Sequence, residues 1–232
     1  MTADNTTPMA TPRTALGELH QDALMWRYER SLPHDLAAYA DELVAGAWFR
    51  VSVKARPHEL RAALAEAFTA AAIPERPERA RLADDITALA ELLAHVLGCE
   101  TVAIRLEHDP GATCPVFHQD QNVMRLLCTY AGAGTEWLPE AHVDRAELGL
   151  RGRSPEAANQ AIARGEPEHA RTGEVLLMQG ARSNAGHAGL VHKSPAGDLG
   201  PRLLLAIDAA DGASGAEWTT STATLRPPIF AP

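Results

Sequence analysis

The sequence predicts an α+β fold in which a helical N-terminal half packs on a jelly-roll core. Apolar residues of the first half recur at the three-and-four spacing of helix faces, whereas short β-type segments separated by Gly, Pro and Asp dominate after Gly98. Helical crossovers are scarce in the second half, which favours antiparallel strands in two packed sheets over a parallel sheet. At 232 residues the chain is long enough for one such domain.

The composition divides the chain into a short lead-in and one domain. Residues 1–20 include a run rich in Thr and Pro with little to bury, so we expect a flexible lead-in. Residues 21–232 are predicted to form a single α+β domain. Its helical part covers about 21–98 and its jelly-roll part about 99–215.

Three helices are predicted in the helical part. They cover residues 36–45, 57–71 and 82–97, with a strand-like segment at 48–55 and a proline-rich break at 73–81. The third helix has the strongest pattern, because Ile86, Leu89 and Leu93 share one face, and Gly98 is a plausible C-cap.

Six strands are predicted after Gly98, each β-branched or apolar and bounded by turn residues. They cover residues 101–106, 123–130, 135–138, 173–178, 189–192 and 202–208, and a short helix is predicted at 155–164.

The bulk charge excludes several classes of partner. The formal net charge is −9 and the isoelectric point is about 5.5, so general binding to nucleic acid or to anionic membranes is not expected. No apolar run approaches the roughly 20 residues of a membrane span, and the first residues lack the apolar core of a signal peptide. Three cysteines form no disulfide framework, and together these features favour the cytoplasm.

His118 and Asp120 are the sharpest candidate functional pair. They are separated by one residue and lead into the predicted strand 123–130. In an extended chain, residues i and i+2 point to the same side, so the imidazole and the carboxylate would face one point. His192 is the best candidate for a third metal ligand. Two histidines and one carboxylate suit non-haem ferrous iron and leave coordination positions open.

Two other residues compete as ligands. His187 lies five positions before His192 and would face the opposite side of an extended chain, so His192 is favoured. Cys114 precedes His118 by four residues and could complete a closed zinc site with His118, Asp120 and His192. The alternative for Cys114 is a small buried side chain, and Cys99 and Cys128 are expected in the core.

The ordered set of His118, Asp120, His192 and Arg202 resembles the motif of the iron and 2-oxoglutarate-dependent dioxygenases. GTEWLP and GEVLLMQG resemble the strands and turns that flank it there. The resemblance implies a double-stranded β-helix, Fe(II) held by the first three residues, and Arg202 binding the far carboxylate of 2-oxoglutarate. A guanidinium can clamp a carboxylate through two parallel hydrogen bonds.

Three further residues could contribute to such a site. Tyr130 is predicted to contact the cosubstrate carboxylate, with core packing as its alternative. Arg125 could contact the same carboxylate, but an outward-facing salt bridge is the preferred interpretation. Glu136 could contact a ligand, orient an imidazole from outside the metal shell, or cap a turn.

A closer resemblance covers most of the chain after Trp26. The strings CPVFHQD, RLLCTYAGAGTEWL and HKSP are similar to those of a bacterial family known as domain of unknown function 1826. This resemblance implies an association with metal, especially zinc, homeostasis. The leading hypothesis rests on the dioxygenase motif. It is a metal-dependent oxygenase that uses 2-oxoglutarate and acts on a small-molecule or protein substrate. The alternative is a non-catalytic zinc-binding protein of metal homeostasis.

Overall fold

The computed structural model describes residues 24–109, 111, 113–183, 188–195 and 199–210. Within these residues the chain forms helices and antiparallel strands in mixed order. The helices are α1 (His34–Ala45), α2 (Leu60–Ala70), α3 (Pro77–Leu97) and α4 (Pro155–Ile162). The strands are β1 (Met25–Tyr28), β2 (Arg50–Ala55), β3 (Val102–Asp109), β4 (Met124–Ala131), β5 (Glu136–Trp137), β6 (Glu168–His169), β7 (Val175–Gln179), β8 (His192–Lys193) and β9 (Arg202–Ala209).

The strands make two sheets in which every pair is antiparallel. The large sheet has six strands in the order β1-β7-β4-β9-β3-β2, and the small sheet has three in the order β6-β5-β8. The predicted mixture of helices and antiparallel strands is thereby confirmed.

The N-terminal part is less purely helical than the sequence predicts. Strand β1 pairs with β7, and β2 pairs with β3, so this part supplies both edge strands of the large sheet. The alternating segment at 48–55 predicts β2. Strand β1 was not predicted, because four residues bounded by polar chain give too short a pattern.

Helix α3 begins inside the segment that the sequence marks as a break. Pro77 occupies its first turn, where a missing backbone N–H costs no hydrogen bond. The helix ends at Gly98 as predicted, with φ of 62° and its N–H bonded to the carbonyl of Ala94. None of the helices in the described ranges combines the length and apolarity that a membrane span requires.

The large sheet is covered on both faces. One face packs on α1, α2 and α3 and contributes Ile104, Leu126 and Ile207 to the largest apolar cluster. The other face contributes residues such as Leu127 and Ala206, which pack with the small-sheet residue Trp137. Strand β9 is therefore buried at all eight positions, which explains its continuous apolar run.

A buried ion pair, whose carboxylate also accepts a hydrogen bond from a tyrosine hydroxyl, lies on the helix-covered face. Arg30 donates from Nη1 and Nη2 to the two oxygens of Asp85 at 2.7 and 2.8 Å, and Tyr130 donates to Asp85 Oδ2 at 2.5 Å. Asp85 and Tyr130 are fully buried, and burial raises the pKa of the Tyr130 hydroxyl well above its usual value. This network connects β4 to α3.

Replacing Asp85 with Ala should destabilise the fold by about 3–5 kcal/mol, because Arg30 would keep a buried charge without its carboxylate. The neighbouring Asp84→Ala variant is the matched control. Its exposed pair with Arg61 should contribute less than about 1 kcal/mol. Urea unfolding of both variants measures the difference, and equal losses would contradict the structural role of the buried pair.

Candidate metal centre

His118 and His192 are joined directly through their backbones. The N–H of each donates to the carbonyl of the other at 2.9 Å, which makes them a hydrogen-bonded antiparallel pair. Strand β8 also pairs with β5, so His192 lies opposite both Trp137 and His118. Residues directly opposite in an antiparallel pair present side chains on the same face. The two imidazoles are thereby brought together from distant parts of the sequence.

Asp120 completes a compact group of three ligand atoms. Its carboxylate oxygens lie 3.8 Å from Nε2 of His118 and 3.6 Å from Nε2 of His192. The two rings are 4.6 Å apart between centroids, and one ligand atom from each residue lies within 4.8 Å of the others. The three residues chosen from the sequence therefore converge on one point.

Both imidazoles are oriented by backbone carbonyls. Nδ1 of His118 lies 2.9 Å from the carbonyl of Val116, and Nδ1 of His192 lies 3.2 Å from that of Leu190. A carbonyl oxygen only accepts, so each Nδ1 carries the hydrogen and each neutral ring presents its Nε2 lone pair towards Asp120. A carbonyl behind the imidazole is the usual way to fix the tautomer of a histidine ligand.

The surroundings favour neutral His192. Burial lowers the pKa of its imidazole, the Asp120 carboxylate opposes this shift and the nearby His118 adds to it, so that the pKa falls to about 4. A neutral imidazole is the form that binds metal. His118 is more open, with 35% of its side chain exposed against 7% for His192, so the group is accessible from the His118 side.

Arg202 begins strand β9 with its guanidinium buried. Nε donates to Asp109 Oδ2 at 2.9 Å and Nη2 donates to Ser194 Oγ at 2.9 Å. Nη1 is buried and has no hydrogen-bond partner among the described residues. A buried donor without a partner costs about 1–3 kcal/mol, so Nη1 is available to an acceptor that is not among the described residues.

Tyr130 does not reach the site. Alternate residues of β4 face opposite sides of the sheet, and Tyr130 lies with Cys128 on the helix-covered face, bonded to Asp85. Its predicted contact with a cosubstrate is therefore wrong, and its alternative of core packing is correct. Cys128 is buried as predicted, and this burial raises its pKa to about 11.

Cys114, one of the two alternative ligands, is exposed and does not join the group among the described residues. Its backbone pairs instead with Ser194. His187 lies outside the described residues. Glu136 forms an ion pair with the buried Lys193, its partner across the β5-β8 pair.

Arg125 faces inward, contrary to the outward salt bridge that the sequence suggested. Its Nη1 donates to Asp120 Oδ2 at 2.9 Å, and its Nε and Nη2 donate to the buried Asp208 at 2.9 and 3.0 Å. Arg125 and Asp208 lie directly opposite each other across the β4-β9 pair. No local sequence signal reveals this contact, because the pairing of β4 with β9 creates it.

The fold and the site define a mixed α/β protein with two antiparallel sheets and a candidate metal centre of two histidines and one aspartate. The family model described as "Protein of unknown function (DUF1826)" matches residues 13–208, and the chain belongs to this family. Comparison with curated proteins finds no match to the sequence.

Several solved structures are similar to this chain at low sequence identity. The rice dioxygenase for auxin oxidation is 14% identical with a TM-score of 0.46, over 80% of this chain and 73% of that chain. HygX from Streptomyces hygroscopicus with iron bound is 15% identical with a TM-score of 0.42, over 79% and 80%. A Pseudomonas putida prolyl-4-hydroxylase is 12% identical with a TM-score of 0.40, over 79% and 91%. With TM-scores below 0.5, the chemistry has to be inferred from the side chains of the site.

The lowered pKa of His192 predicts a pH-dependent stability of the metal-free protein. The folded pKa is about 4 and the ordinary value is 6.5, so the unfolded state binds more protons between these values. The contribution of neutral His192 is complete above about pH 6.5 and is lost as the pH falls towards 4. His192→Gln should remove this component, of about 3 kcal/mol, from the pH profile of the unfolding free energy.

Urea unfolding from pH 7 to pH 4 measures this component as the difference between wild type and variant. His95→Gln, at an exposed position of α3, is the control and should leave the profile unchanged. Parallel profiles for wild type and His192→Gln would contradict the prediction.

Proposed function

We propose that this protein is a non-haem iron oxygenase that uses 2-oxoglutarate to oxidise a small-molecule or protein substrate. The observation that carries the proposal is the convergence of His118, Asp120 and His192 within 4.8 Å. Metal ligands at about 2.1 Å from a common ion lie roughly 3–3.5 Å apart, close to the 3.6 and 3.8 Å between the carboxylate and the imidazoles.

The donor set favours iron over a closed zinc site. Two imidazoles and one carboxylate on one side of an ion form the facial triad of ferrous oxygenases, with the remaining positions free for cosubstrate and oxygen. A structural zinc site would need a fourth protein ligand. Cys114, the predicted fourth ligand, is absent from the group formed by the described residues.

Arg202 supports 2-oxoglutarate as the cosubstrate. Among the described residues its Nη1 has no hydrogen-bond partner, and the Ser194 hydroxyl lies next to it. These two groups are suited to the far carboxylate of a dicarboxylic acid. Asp109 accepts a hydrogen bond from Nε of the guanidinium and compensates its positive charge. We further propose that the two antiparallel sheets are the layers of a double-stranded β-helix, since the backbone pair of His118 and His192 lies at the small sheet.

Each residue of the chain has a defined role in this proposal. His118 and His192 bind as neutral donors through Nε2, Asp120 supplies the negative charge, and Arg202 orients the cosubstrate. When bound, ferrous iron and 2-oxoglutarate supply the activation of oxygen. The apolar residues between the sheets exclude water from the buried side, and the exposed edge of His118 gives access to substrate.

His118→Ala or Asp120→Ala should weaken Fe(II) binding by more than about 100-fold, because each removes a ligand. Anaerobic calorimetric titration measures the dissociation constant. Cys114→Ala is the control and should bind Fe(II) as the wild type does. Loss of metal in Cys114→Ala, with no charge-transfer absorption from wild type with Fe(II) and 2-oxoglutarate, would instead support the zinc-binding alternative.

Arg202→Lys should weaken 2-oxoglutarate by about 10- to 100-fold while leaving Fe(II) binding unchanged. The ammonium still compensates Asp109 but lacks the fork that binds a carboxylate. Anaerobic titration of 2-oxoglutarate into the Fe(II) protein, followed by charge-transfer absorption, measures this effect. Arg50→Lys, in an ion pair with Glu107 on the neighbouring strands, is the control and should have no effect. Equal affinity in wild type and Arg202→Lys would exclude Arg202 as the carboxylate site.

A further inference from the structure

Arg125 connects the candidate ligand Asp120 to the buried interior of the large sheet. One guanidinium nitrogen, Nη1, donates to Asp120, and the other two donate to Asp208. Asp208 is 1% exposed and also accepts a hydrogen bond from Asn122 at 2.8 Å. The position of the guanidinium is therefore fixed by Asp208, which does not belong to the ligand group and is itself held by Asn122.

The geometry restricts how Asp120 can present its carboxylate. Oδ2 accepts from Arg125 at 2.9 Å and lies 3.6 Å from Nε2 of His192, while Oδ1 lies 3.8 Å from Nε2 of His118. Rotation of the carboxylate would break a charge-assisted hydrogen bond, which is stronger than one between neutral groups. A carboxylate held in this way leaves Oδ1 free for a cation, whereas one lone pair of Oδ2 already accepts from the guanidinium.

The charges agree with this role. Arg125 lies between two carboxylates, and Asp208 compensates its positive charge in the buried sheet. Two carboxylates around one guanidinium leave one net negative charge beside the imidazoles, and this charge favours a cation there. A lysine could not replace this arrangement, because an ammonium on a single stem does not span two carboxylates as a planar fork does.

We infer that Arg125, anchored by Asp208, is a positioning residue that holds Asp120 in single-oxygen coordination and so keeps a metal position open. This inference rests on the proposed function and adds a residue that acts through a ligand without touching the ion. Its loss allows Asp120 to bind through both oxygens, or to turn away from the imidazoles. Either change alters the coordination of the metal as well as its affinity.

The test loads wild type, Arg125→Gln and Arg125→Lys with Co(II), whose visible absorption reports coordination number. Both variants should bind Co(II) about 10- to 100-fold more weakly than wild type, with a changed visible spectrum. Wild-type affinity and spectrum in Arg125→Gln would overturn the inference. Restoration of both by Arg125→Lys would also overturn it, since charge alone would then be sufficient.

Arg105→Lys is the matched control, because Arg105 lies on the same sheet face and pairs with Glu107. It should leave the spectrum unchanged. If Arg125→Gln does not fold, Asp208→Asn provides the second variant. It keeps the volume of the anchor, weakens its hold on Arg125, and should shift the Co(II) spectrum in the same direction.

The outcomes separate this inference from the proposed function. Failure of wild type to bind Co(II), or binding that survives His118→Ala, contradicts the metal centre itself. Normal wild-type binding with unchanged Arg125→Gln contradicts only the positioning role.

Discussion

The two reciprocal backbone hydrogen bonds between His118 and His192 are the constraint on which the candidate site depends. They join the segment before β4 to β8 and fix the register between them. A slip of one residue would turn one imidazole to the other face. The carbonyls of Val116 and Leu190, two residues before each histidine, then select the tautomer. A short stretch of backbone pairing therefore sets both the position and the tautomer of the two imidazoles.

The inner face of the large sheet combines apolar packing with buried charge. Asp109, Asp208 and Arg202 are each at most 4% exposed. Such groups are tolerated because each is paired with an opposite charge, as in the contacts of Arg202 with Asp109 and of Arg125 with Asp208. The Nη1 of Arg202 is one of the buried side-chain atoms that have no hydrogen-bond partner among the described residues. The Nε and Nη2 of the same guanidinium are held by Asp109 and Ser194, so Nη1 is available to an acceptor that is not among these residues.

The sequence predicted most elements of the fold and the pair of His118 and Asp120 from local patterns, whereas His192, distant in sequence, was chosen for its place before Arg202. Apolar runs bounded by turn residues identified β4 and β9, helix spacing identified α3, and the one-residue separation placed His118 with Asp120. It did not predict which face of β4 points to the site. Tyr130 and Arg125 were assigned to the wrong sides, because both faces of this strand are buried and the polarity pattern is lost. The contact of Arg125 with Asp208 depends on the β4-β9 register, which no local pattern encodes.

Strand β4 separates two kinds of buried polar network. Tyr130 joins Arg30 and Asp85 on the helix side, where every connection leads to the scaffold. On the other side Arg125 joins Asp208 to Asp120, so its connection leads to the metal centre. Successive residues of a strand face opposite sides of the sheet. The backbone of β4 is therefore held by the helix layer on one face and carries Arg125 on the other. Precise ligand geometry requires support of this kind. The helical layer thus contributes to the site by fixing the strand that carries Arg125, although it contributes no ligand.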